Sequence, residues 1–232
     1  MRTIGVLGGL GPAATVDFLD QLVRLTPARR DQDHIPVLAA FRPQVPDRSA
    51  AILGLGPDPL PALLEGLHLL ERAGADLVAI PCNSAHHWHA QLCEQSAVPV
   101  LHIARACVAR LRQPPGAAVL VLATRGVQRS GLYRTALREA GLEPVEPDAL
   151  AVQHDVDRCI TQIKAGEPAA AAHSLSRVLR QAAGQGLSCV VLGCTELPLA
   201  ARRCDPEGLT LVDSTRALAL AAIEHALAEG VA

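Results

Sequence analysis

Two cysteines stand in matching surroundings 112 residues apart. Ala75-Asp76-Leu77-Val78-Ala79-Ile80-Pro81-Cys82-Asn83 and Leu187-Ser188-Cys189-Val190-Val191-Leu192-Gly193-Cys194-Thr195 are each an apolar run entering a turn. In each turn a cysteine precedes a small polar residue. Open α/β sheets keep their chemistry at the C-terminal ends of strands, and a helix start there favours thiolate over thiol. Two such thiols facing one carbon provide an acid and a base on opposite sides. That arrangement inverts a stereocentre by proton transfer, the chemistry of racemisation. Cys93, Cys107, Cys159, Cys189 and Cys204 lack the setting and are expected to pack as small apolar side chains.

Other residues bear on the same chemistry. Arg48 closes a Pro-rich stretch, Pro43-Gln44-Val45-Pro46-Asp47-Arg48, and a guanidinium there suits a carboxylate because the two match bidentately. Lys164 is the only lysine among 21 Lys and Arg residues. A pyridoxal phosphate enzyme would have to use it, yet nothing around it resembles a phosphate cradle, and two thiols would be redundant. No cofactor is therefore expected. Cys82, His86, His89 and Cys93 share one helical face, but the outer pair would stand roughly 16 Å apart along a helix. They cannot converge on one ion at bonds of ~2.0–2.3 Å, so no metal is expected. His86, one turn from Cys82, is expected to line the pocket. Gly9-Leu10-Gly11-Pro12-Ala13-Ala14 fits a dinucleotide fingerprint, but Phe41-Arg42 stands where the ribose-binding acid belongs. A tight turn that admits a small substrate is the better reading.

The elements that position these residues are themselves repeated. Val6-Leu7-Gly8-Gly9-Leu10-Gly11 aligns with Val121-Leu122-Ala123-Thr124-Arg125-Gly126, and Val100-Leu101-His102-Ile103-Ala104-Arg105 with Leu211-Val212-Asp213-Ser214-Thr215-Arg216. Three strand ends recur in order, at offsets of 115, 112 and 111, which indicates an internal duplication. Strands are expected at 3–7, 37–41, 77–80, 100–102, 118–122, 190–192 and 209–212. Helices are expected from Pro12 to about Leu25 and at 60–72, 84–93, 128–140 and 214–228, with two more in 150–184 broken near Gly166. Such alternation implies parallel sheets covered by helices. The fold class is α/β, with two similar lobes facing each other. Residues 1–113 form the first lobe and 114–213 the second, divided at Pro114-Pro115-Gly116, and the closing helix within 214–232 packs back on the first.

Composition narrows the field. Hydrophobic residues are 50% of the 232 but aromatics only 2%, so the core is aliphatic. A net charge of −2 without charge blocks argues against a nucleic-acid partner. An odd set of seven cysteines without a CxxC pair argues against a disulfide framework. Glycines and Pro12 interrupt the first apolar run, unlike an export signal, and no apolar stretch is long enough to span a bilayer. A cytoplasmic protein without membrane contact is expected.

Gly5-Val6-Leu7-Gly8-Gly9-Leu10-Gly11-Pro12, the Pro43–Arg48 stretch, Pro81-Cys82-Asn83-Ser84-Ala85-His86 and Gly193-Cys194-Thr195-Glu196 together resemble the aspartate/glutamate racemase family, nearest its aspartate racemase branch. The resemblance runs over essentially the whole chain. It implies two α/β lobes related by a pseudo-twofold with the active site between them, a homodimer, and catalysis without pyridoxal phosphate or metal. It also implies roles. Cys82 and Cys194 match the catalytic pair, and Arg48 and Lys164 match residues holding the distal carboxylate of an amino-acid dicarboxylate. Asn83, Ser84, Ala85 and Thr195 match the turns that bind the α-carboxylate end, and Asp47 and Glu196 match acidic residues assisting the cysteines. Glutamate racemases typically carry histidine at the Glu196 position and Asp-Ser in the first loop. The alternatives are a racemase for glutamate, hydantoins or a broader set of amino acids, a maleate isomerase, and outside enzymes a two-lobed binding protein or thiol redox sensor.

Overall fold

The computed structural model describes residues 1–147 and 151–228; residue 150 and residues 229–232, included in the expectations above, lie outside them. Among the described residues seven strands form two sheets, parallel throughout. In the first, β1 (Ile4–Gly8) lies between β2 (Val37–Phe41) and β3 (Leu77–Ala79). In the second, β4 (Ala118–Leu122) lies between β5 (Glu143–Val145) and β6 (Cys189–Leu192), with β7 (Thr210–Asp213) beyond β6. Each sheet thus places its first strand between its second and third. Val100, expected in a strand, makes only an isolated parallel bridge to Val78, in the place that β7 occupies beside β6. The two sheets therefore share one strand order, as a duplication requires.

Helices cover both faces. α1 (Pro12–Leu25) begins with proline at its first turn, where no N–H is needed. α3 (Leu60–Arg72) turns Leu63, Leu67 and Leu70 inward, one stripe at helical spacing, against Leu7, Ala40 and Val78. Over the second sheet, α8 (Gln153–Lys164) and α9 (Pro168–Gly184) pack on each other. They are separated by Gly166, whose φ of +78° a side chain would resist. α11 (Ser214–Leu227) follows β7 of the second sheet but packs on α1 and on α5 (Ile103–Val108). Its Leu218, Ala222 and Ile223 meet Phe18, Leu22 and Ile4. Among the described residues no helix is long and apolar enough to cross a membrane.

Two helices differ from expectation. The segment expected as one helix at 84–93 is a 3-10 turn, Ser84–Trp88, followed by α4 (His89–Glu94). The His86 N–H bonds to Asn83 O, while the His86 ring contacts Cys82 O at 2.9 Å. The ring occupies the carbonyl that an α-helical N–H at that position would use, so the turn tightens. The segment expected at 128–140 is two helices, α6 (Arg125–Ser130) and α7 (Leu132–Glu139), split at Gly131 with φ +71°. Two short helices also escaped the sequence: α2 (Arg48–Ile52) and α10 (Leu197–Ala201). Asp47 caps α2 by accepting from the Ala50 N–H.

Candidate active site

The two cysteine turns follow corresponding strands, β3 and β6, and meet in a chamber of about 30 Å³ between the sheets. Cys82 and Cys194 both line it and both are buried. Asp47, Arg48, Asn83, Ser84, Lys164, Thr195 and Glu196 line it as well. Ala85 does not: it is wholly buried in the core beneath α3 and β3. His86 also turns away from the chamber. Its ring lies between Cys82 O and, at 3.2 Å, Leu101 O. Burial first, and then neighbouring His102, push its pKa down to about 3, so the ring is neutral and props the turn.

Cys194 Sγ donates to Glu196 Oε2 at 3.0 Å. Burial, then the charge of Glu196 and this hydrogen bond, hold the thiol well above its ordinary value, opposed by the ammonium of Lys164. Glu196 fits there because the facing residue is Gly11: a Cβ on Gly11 would stand 2.5 Å from Glu196 Oε1. The glycine-rich turn thus makes room for a carboxylate of this chain rather than for a pyrophosphate. The other buried cysteines, Cys107, Cys159 and Cys189, are pushed upward by burial, Cys159 to about 12. They are unreactive thiols in apolar packing.

Arg48 is both a strut and a donor. Nη1 donates to Val45 O and Pro46 O at 3.0 and 2.9 Å, and Nη2 donates to Leu10 O at 2.8 Å. Among the described residues Nε is buried without a partner, while the residue as a whole lines the chamber. Lys164 ends α8, and its side chain reaches the same wall. Asn83 is held from beneath: Tyr133 Oη donates to its Oδ1 at 2.6 Å, and its Nδ2 donates to Ser214 Oγ at 3.1 Å.

The chamber has three further wall residues, Leu10, Ser49 and Thr124. Thr124 stands opposite Gly9 in the internal repeat, in the turn matched to the one that holds Leu10, and that correspondence was the available signal for it. Thr124 Oγ1 lies 3.3 Å from Ser84 Oγ, and Ser49 Oγ accepts from the Gly126 N–H at 3.0 Å, so both pairs tie the two halves together. Beyond the chamber a second, open pocket of about 560 Å³ shares Asp47, Arg48, Lys164 and Glu196 with it. Pro12, Ala13, Pro43, Val45 and Ile163 give this outer pocket an apolar lining. Among the described residues no cluster of His, Cys, Asp and Glu is arranged to hold a metal ion.

Known proteins resemble this chain in sequence and fold. The chain is 29% identical to an aspartate racemase of Picrophilus torridus, whose structure superimposes with a TM-score of 0.85 over 97% of this chain and 94% of that one. It is 28% identical to RacX, a broad specificity amino-acid racemase of Bacillus subtilis, over 97% of this chain and 98% of that protein. A glutamate racemase of Francisella tularensis, solved with D-glutamate, is 16% identical and shares the fold at a TM-score of 0.67, covering 97% of this chain and 81% of that one. The family model for Asp/Glu/Hydantoin racemases matches residues 7–222. The chain belongs to the Asp/Glu/hydantoin racemase family.

Proposed function

We propose that this protein interconverts L- and D-aspartate by proton transfer between Cys82, Cys194 and the substrate α-carbon, without pyridoxal phosphate or metal. The observation that carries the reading is the meeting of the two cysteines, one from each sheet, in a chamber that Arg48 and Lys164 also line. Aspartate lies with its α-carbon between the sulfurs. One thiolate removes the α-proton, and the other thiol delivers a proton to the opposite face. The roles exchange for the other enantiomer. Arg48 and the Lys164 ammonium, both at the chamber wall, take the β-carboxylate, aiming the α-carbon at both sulfurs. Backbone N–H groups of the turns after Cys82 and Cys194 stabilise charge that develops on the α-carboxylate. When Cys194 is the base, Glu196 accepts its proton and leaves a thiolate.

Proton NMR of L- and D-aspartate with the purified protein in D₂O, followed by chiral separation, tests this reading. Loss of the α-proton signal and appearance of both enantiomers is the expected result. Cys82→Ala and Cys194→Ala each lower racemisation by about 10²–10⁴-fold, the usual worth of a positioned acid or base. No exchange from either enantiomer under reducing conditions rules aspartate out, and substantial racemisation by both variants rules the two-thiol scheme out.

The outer pocket favours a second reading, a broader range of amino acids. Its volume of about 560 Å³ and apolar lining suit side chains longer and less polar than that of aspartate. Similar rates on such substrates in the same assay would replace the narrow specificity with the broad one.

A further inference from the structure

Tyr133 is the only tyrosine of the chain and has no part in the chemistry above. It lies on α7, almost wholly buried, and a buried phenol needs a partner for its hydroxyl. The direction of the hydrogen bonds that link it to Asn83 and Ser214 follows from one carbonyl. Leu192 O can only accept, so Ser214 Oγ donates to it, at 2.7 Å. Ser214 Oγ therefore accepts from the Asn83 amide nitrogen. That orients Asn83 Oδ1 toward Tyr133, whose hydroxyl donates at 2.6 Å. Burial pushes the phenol far upward, so it remains a donor.

Two members of this chain of bonds lie close in sequence to the two catalytic cysteines. Asn83 follows Cys82 directly. Leu192 ends β6, two residues before Cys194. The Tyr133 ring meets the same second turn: a Cβ on Gly193 would stand 2.9 Å from its Cε2, so glycine lets the ring seat against the backbone next to Cys194. One side chain thus touches both cysteine turns, by a hydrogen bond on one side and close packing on the other. It is absent from the chamber wall.

We propose that Tyr133 is a positioning residue that sets the separation of the two catalytic sulfurs and fixes the orientation of the Asn83 amide beside Cys82. The inference rests on the two-thiol reading. Inversion needs both sulfurs within reach of one carbon, whereas exchange of the α-proton at one face needs only one. Relaxing the spacer therefore affects the two processes unequally. A misplacement of ~1 Å is enough to cost about 10²-fold in rate.

Tyr133→Phe keeps the ring against Gly193 and removes only the hydroxyl. In D₂O, inversion and deuterium incorporation at retained configuration are followed together for each enantiomer. The expected result is a fall in kcat for inversion of about 10- to 100-fold, a higher ratio of retained-configuration exchange to inversion, and a smaller change in KM. Ser214→Ala removes the other anchor of Asn83 and is expected to raise the same ratio, which carries the test should Tyr133→Phe fold poorly. Asn83→Ala with Tyr133→Phe is expected to invert no more slowly than Asn83→Ala alone. Wild-type inversion in both Tyr133→Phe and Ser214→Ala overturns the proposal. So does a proportional fall of exchange and inversion, the mark of lost folded protein, or multiplicative effects in the double variant. A wild-type protein that neither exchanges nor inverts overturns the racemase reading itself, a distinct outcome.

Discussion

The Cys194 thiol rests 3.0 Å from Glu196 Oε2, which gives it a proton acceptor of its own and a reason to stay protonated at rest. Cys82, in the matching turn, shares the chamber with the same carboxylate, but the hydrogen bond belongs to Cys194. On the proposed two-thiol reading, two groups of one chemical type thus enter the cycle from different environments, as when a site sets two like groups apart. The asymmetry has a specific kinetic form. Enantiomers have equal free energy, so kcat/KM must be the same in both directions at every pH, and kcat can differ only together with KM and in the same proportion. A carboxylate charge raises a neighbouring thiol's pKa, as Glu196 does here; neutralising it lowers that pKa. Glu196→Gln is therefore expected to shift the rising limb of kcat against pH toward lower pH in the direction where Cys194 is the base. The same variant loses the proton acceptor, so the plateau falls in that direction. The opposite direction, with Cys82 as the base, keeps its limb. Initial rates from pure L- and pure D-aspartate across pH measure this, and equal displacement of both profiles would contradict the assignment.

The turn between β1 and α1 shows how an element is shaped by a residue far away in sequence. Gly11 has extended backbone (φ 174°, ψ 118°), which alanine also adopts. What opposes a side chain is the carboxylate tip of Glu196, 2.5 Å from the position of a Cβ. Gly11→Ala is thus expected to leave stability within about 1 kcal/mol of the parent, because the end of a flexible side chain yields. It is expected to lower racemisation about 10-fold or more, because Glu196 yields away from Cys194. Parallel chiral assays and denaturant unfolding check this, and an unchanged rate would mean that Glu196 has no catalytic station there. The sequence carried the matched strands and both cysteine turns because each sheet repeats the same local pattern. The break at Gly166 was legible, since glycine and Pro168 stand together. The break at Gly131 was not, because the residues on either side continue a helical pattern and only its left-handed φ ends the first helix. The spacing of Cys82 and His86 reads as helical, yet the ring takes the carbonyl that a helix would use. Ala85 belongs to the expected motif, but its methyl faces the core, an orientation that motif matching cannot supply. Ser49 and Thr124 reach the chamber through contacts between the halves, and no local pattern encodes such contacts.

The molecule as a whole is closed more tightly than its proposed substrate allows. A chamber of about 30 Å³ has room for a water or two, far less than an amino acid fills. Entry therefore requires the halves to part, the usual gating motion of two-lobed sites. The two sides of the molecule resist this differently. At α11, Leu218, Ala222 and Ile223 are buried against Phe18, Leu22 and Ile4, an apolar contact suited to a hinge. Near the chamber, α2 packs on α6, and two polar contacts cross between the halves, Ser49 with the Gly126 N–H and Ser84 with Thr124. A hydrogen bond is worth only about 0.5–1.5 kcal/mol net, so this side opens first. Ser49→Ala removes one of these contacts and strands the N–H of buried Gly126 in the closed form. The open fraction should then rise about 5- to 160-fold, the equivalent of the ~1–3 kcal/mol that a stranded buried donor costs. Alkylation of Cys82 and Cys194 by a neutral maleimide, followed by mass spectrometry, reads that fraction, with exposed Cys93 as the internal reference. Both catalytic thiols are expected to react faster in Ser49→Ala while Cys93 reacts as before. Catalytic thiols that match Cys93 in the wild-type protein, or that ignore the substitution, would show that the chamber admits ligands without the halves parting.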